Sequence, residues 1–198
     1  MRRRPLAASL AALAAAALLG CAAGGEQRAP VPAVGAREES VGARYDYECD
    51  TVSGQTVCVM TGNALQPLTP RYPMLTLGAV KSGEGAAARY FLRVVTINQG
   101  AGIDIPRGKS LSLTIDGEPL ELGGDGSAGN RMAGEAGKHF EAAMYAVQPG
   151  LIERIGGARS VTARVRGAAV VEKRFGPVNQ AYFAMFVRKY MGGAPAGQ

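Results

Sequence analysis

One histidine, His139, stands in 198 residues, and imidazole is the side chain that most readily moves protons near neutral pH. A multi-histidine metal site and a His-Glu-x-x-His motif are therefore excluded. A serine hydrolase would have to use His139, and no Gly-x-Ser-x-Gly turn occurs in the chain to present its nucleophile. Asp46, Glu48 and Asp50 alternate, which sets three carboxylates on one face of a strand. Hard oxygen ligands of that kind suit Ca²⁺, but a solvated strand face has the same pattern, and no metal is expected. Paired carboxylates for glycoside hydrolysis have no sequence signature among 16 acids.

Two segments look like phosphate loops at their ends and fail elsewhere. Gly108-Lys109-Ser110 closes such a pattern, yet Ile103 stands where its first glycine belongs and the following residues read as strand, not helix. Gly134-Glu135-Ala136-Gly137-Lys138 is followed by His139 and has Met132 at the first glycine position. The Gly123-Gly124-Asp125-Gly126 cluster lacks the strand and helix flanks of a dinucleotide fingerprint. No cofactor is expected.

The chain opens with Arg2, Arg3 and Arg4, followed by an apolar run of Ala and Leu that ends in Leu18-Leu19-Gly20-Cys21. This run is short for a membrane span, which needs roughly 20 residues, and has the layout of an export leader. Its end resembles the lipobox of bacterial lipoproteins. The resemblance covers only these first residues and implies diacylglycerol on the Cys21 sulfur, cleavage before Cys21, and acylation of the new amino group. Two or three acyl chains anchor a protein stably where one does not. Ala22 is not the aspartate associated with inner-membrane retention, so the expected location is the outer membrane, facing the periplasm.

Three of the 22 basic residues belong to that leader, so half of the formal net charge of +6 would leave with it. The rest are scattered among carboxylates, without the basic face that a nucleic-acid binder carries. Residues 21–43, rich in Ala, Gly and Pro with no apolar period, read as a lipid-anchored disordered tether. With Cys21 assigned to lipid, Cys49 and Cys58 form an even pair in an exported chain and are expected to be joined. A two-residue turn at Ser53-Gly54 places them directly opposite, in a non-hydrogen-bonded pair where Cα atoms lie about 4.5 Å apart.

The elements that would position any site follow from the same periodicities. Residues 74–80 and 89–98 read as strands. Asp116-Gly117 predicts a second tight hairpin that sets Leu113 against Leu120 and Leu111 against Leu122, with Ser112 and Glu121 on the wet face. Residues 123–137 read as a glycine-rich loop, 139–147 as a strand, 149–155 as a short helix stopped by Gly156-Gly157, and 160–166 with 169–175 as another hairpin. Pro177 begins a C-terminal helix whose Val178, Tyr182, Met185, Phe186 and Tyr190 should face the core.

Seven to nine strands and two late helices predict a single α+β domain over residues 44–191. It should be mainly antiparallel sheet or open sandwich, with the helices packed on it and a flexible tail at 192–198. The functional expectation is a non-catalytic envelope lipoprotein that binds or helps assemble another envelope component, with 123–137 as a contact loop. The alternative is a periplasmic hydrolase using His139 or a carboxylate pair.

Overall fold

The computed structural model describes residues 47–69 and 72–192. The leader, Cys21, the tether, Tyr45, Asp46 and the end of the tail lie outside them. The described chain is an α+β structure in which antiparallel sheet dominates and curls into a half-barrel.

Among the described residues eleven strands run in chain order as β1 (Tyr47–Val52), β2 (Gln55–Met60), β3 (Ala64–Gln66), β4 (Met74–Ser82), β5 (Arg89–Gln99), β6 (Gly108–Ile115), β7 (Glu118–Gly124), β8 (Arg131–Ala133), β9 (Lys138–Val147), β10 (Val161–Arg166) and β11 (Val170–Arg174). Helix α1 (Pro149–Gly157) separates β9 from β10. Helix α2 (Pro177–Phe186) ends in a wider π turn, Val187–Met191. The strands form two sheets, one ordered β1-β2-β4-β5-β9-β8 with β3 beside β4, the other β11-β10-β6-β7. Two short strands beyond the expected number, β3 and β8, are too brief to show a period in sequence.

Both tight hairpins form in the expected registers. Ser53 and Gly54 have φ of +50° and +77°, and Asp116 and Gly117 +51° and +92°, the left-handed pair of a type I′ turn that matches strand twist. Cys49 faces Cys58, and Leu113 faces Leu120. The cysteines are joined, with Cα atoms 4.1 Å apart and a sequence separation of 9. Replacing both by alanine should cost about 2–3 kcal/mol, the chain entropy that so short a loop withholds from the unfolded state. Urea unfolding with and without reductant measures it, and identical midpoints would refute it.

Alternation buries one face of each sheet. Leu75, Leu77, Leu92, Val94, Ala143 and Tyr145 meet Leu111, Leu113, Val161, Ala163 and Val165, all nearly inaccessible to water. Helix α2 covers part of this face, and Phe183 and Phe186 are fully buried; each such ring contributes roughly 1.5–3 kcal/mol by leaving water. Of the expected stripe, Tyr182 and Phe186 are buried and Met185 and Tyr190 pack against the core, while Val178 is 43% exposed and Phe183 joins the core instead. Gly156 and Gly157 do not stop α1 but form its last turn. A Cβ on Gly156 would come within 3.0 Å of the Ala184 nitrogen, so the glycine is what lets the two helices touch.

Candidate functional site

His139 is exposed at the start of β9, with Asn98 and Ala133 as its ladder partners. Glu48 and Asp50 are exposed on β1, and Asp46 lies outside the described residues. Among the described residues no three His, Cys, Asp or Glu side chains converge as metal ligands.

Residues 123–137 are not a free glycine loop. Gly123 and Gly124 belong to β7, Arg131–Ala133 form β8, and a short 3₁₀ turn leads into β9. The segment is held by a buried acid that sequence reasoning passed over. Glu141, 2% exposed, accepts hydrogen bonds at 3.0 Å from the backbone N–H groups of Ile103 and Asp104. Arg131 reaches Glu141 at 3.4 Å, Asp104 at 2.6 Å and the Ser127 hydroxyl at 3.3 Å. Ser127 in turn accepts the N–H of Ile105. The result pins residues 102–105 across the open end of the core, with Ile103 and Ile105 buried beneath and Asp104 held at φ +56°. One signal was legible: an acid on the same alternate face as Ala143 and Tyr145, which belong to the core.

The outer face of the smaller sheet is charged, with Lys109, Arg164 and Arg166 set against Glu121 and Glu172. Glu121 lies between Arg166 and Lys109, and Arg164 is 3.8 Å from Glu172. The hydrogen bond and charge of Arg166 hold the Glu121 carboxyl below the usual carboxylate range, with Lys109 adding to it. Exposed pairs of this kind contribute little to stability.

An apolar cleft lies where the two sheets meet. Strand β8 covers only residues 139–141 of β9, so the rest of β9 is a sheet edge, as is β7. The two edges are joined by hydrogen bonds at one point among the described residues. The Asp125 N–H donates to the Met144 carbonyl at 3.3 Å, and the Met144 N–H donates to Asp125 Oδ1 at 2.9 Å. Beyond it they share no ladder. Leu120 and Leu122 line one side, Ala146 and Val147 the other, and Leu151 of α1 the floor, around a cavity of about 440 Å³. Arg154 stands at the far rim, bonded to Glu118 at 2.9 Å.

Alternation decides which backbone groups face this opening. Ile115 and Glu118 flank a two-residue turn and so form a hydrogen-bonded pair, which directs the main chain of Pro119, Glu121 and Gly123 outward. Pro119 offers no N–H there, as befits an edge guarded against strand addition. The Leu120 and Leu122 side chains continue the buried face of Leu113 and Leu111, their ladder partners, into a half-buried wall. What the arrangement can do chemically is hold an apolar group against a preformed surface. No protein-family model matches the chain, and no curated protein matches it. Among the described residues no helix is long and apolar enough to cross a membrane.

Proposed function

We propose that this is a non-catalytic cell-envelope lipoprotein, held through lipid on Cys21 and probing the periplasmic side of the outer membrane, that binds or helps assemble another envelope component. The cleft between β7 and β9 is the binding site. One observation carries this reading: among the described residues an apolar cavity stands open between two sheet edges. The leader supports the location, since a basic start, an apolar run and a terminal Leu-x-Gly-Cys together are what lipid attachment requires.

The test places a photo-crosslinking residue at Leu122, with Val170 on the opposite sheet edge as control, and irradiates native membranes. A discrete adduct is expected from position 122 and none from 170. Adducts from both, or from neither, would overturn the cleft as the site. In the same preparation Cys21→Ala should move the protein out of the membrane pellet, and unchanged pelleting would refute the anchor.

A further inference from the structure

A second cleft, of about 690 Å³, lies over the ends of β2, β4 and β5 beyond the C-terminal π turn. Cys58, Lys81 and Tyr90 are among its lining, with Lys189, Tyr190 and Gly192 from the turn. It is cationic. Lys81 donates from Nζ to the Tyr190 carbonyl at 2.7 Å, and the Lys189 ammonium lies 5.2 Å from the Tyr190 ring centre and 5.9 Å from that of Tyr47. Among the described residues neither ammonium has a carboxylate within ion-pair distance. The one acid in the lining, Glu84, accepts a hydrogen bond from the Thr56 hydroxyl at 3.0 Å. Two positive charges thus face one negative in a concave surface, where fields are strengthened by the low-dielectric walls.

The two clefts adjoin. Lys81 pairs with Tyr90 across one ladder and Tyr90 with Val147 across the next, so about 10 Å separates the cationic cleft from the apolar one at two strand spacings.

We propose that the adjoining clefts form one site for an anionic lipid. Its phosphate-bearing headgroup meets Lys81 and Lys189, and its acyl chain passes Tyr90 and Val147 to lie against Leu122 and Leu151. This rests on the reading of the β7–β9 cleft as the binding site and names what it binds. Charge favours an anionic headgroup, length favours an extended chain, and Pro119 on the cleft edge works against an added peptide strand.

The test uses the full chain purified from membranes in mild detergent, titrated with phosphatidylglycerol carrying an acyl-chain fluorophore and with phosphatidylcholine of the same chains. Phosphatidylglycerol should bind about tenfold or more tightly, the size expected of two lysines at an anionic headgroup. Lys81→Gln with Lys189→Gln should bring the two lipids level. Lys189→Gln alone should remove part of the preference, which guards against a structural effect of losing the tie between Lys81 and Tyr190. Lys81→Arg should retain it. Equal affinity for both lipids, or an unchanged preference in the double variant, would overturn the proposal. So would glycerol phosphate binding as tightly as the lipid, which would mark a free-phosphate site. If no lipid binds while position 122 still crosslinks to a protein, the lipid assignment fails and the cleft reading stands; if neither occurs, both fail.

Discussion

Glu141→Ala should lower the unfolding free energy by about 3–5 kcal/mol, the range seen when one partner of a buried ionic network is removed. The carboxylate accepts two backbone N–H groups, from Ile103 and Asp104. Ile103 is almost wholly buried, and a buried N–H left without an acceptor costs about 1–3 kcal/mol. Arg131 is less affected, because it is part exposed and retains Asp104. Glu141→Gln keeps one acceptor oxygen and should lose roughly half as much. Urea unfolding followed by far-ultraviolet circular dichroism measures both, since the chain has no Trp to report. Hydrogen exchange supplies the local readout: the Ile103 and Asp104 amides should lose protection before the amides of β9. A loss under about 1 kcal/mol for the alanine variant would mean that segment 102–105 is held by Ile103 and Ile105 packing alone.

Gly124→Val is expected to be nearly as damaging, and to act on the cleft as well as on stability. A Cβ at this position would lie 2.6 Å from the Met144 carbonyl oxygen and 2.7 Å from ring carbons of Tyr145. Neither can yield. Met144 belongs to the ladder with β5, and Tyr145 is fully buried with its hydroxyl 2.8 Å from that of Ser110. Burial raises the Tyr145 phenol above its usual pKa of 10, against the Ser110 hydrogen bond and with the charge of Asp125 adding to the rise. The ring therefore stays a neutral, fixed wall at neutral pH. Overpacking of this kind costs about 1–3 kcal/mol, and the strain should part the edges where Asp125 and Met144 meet. Gly123→Val is the matched control. Its Cβ would meet nothing closer than 3.8 Å, and its effect should stay within about 0.5 kcal/mol. Faster exchange at the Asp125 and Met144 amides in the Gly124 variant alone would show that the sheets join through this glycine. Similar losses in both variants would show that they do not.

What was legible in the sequence came from interactions near in the chain. A two-residue turn needing positive φ at both positions sets strand register at once, so Ser53-Gly54 placed Cys49 opposite Cys58, and Asp116-Gly117 placed leucine opposite leucine. Pro177 marked the start of α2 for the same kind of reason, its φ being set before folding. Glu141 was legible only as an anomaly, an acid on a core face, because its partners Ile103, Asp104 and Arg131 come from separate segments.

The sequence alone determined the longer strands and the register of the two tight hairpins, because each depends on turn chemistry or periodicity within a few residues. The tertiary structure alone decided that β5 pairs with β9 and β6 with β10, which divides the strands between two sheets. Those pairings join segments far apart in sequence, and what selects them is mutual burial of whole faces, a property no local window contains. The clefts follow from that choice. One opens where β7 and β9 lie side by side without a shared ladder, and the other lies beside the π turn that ends α2, against Lys81 and Tyr90.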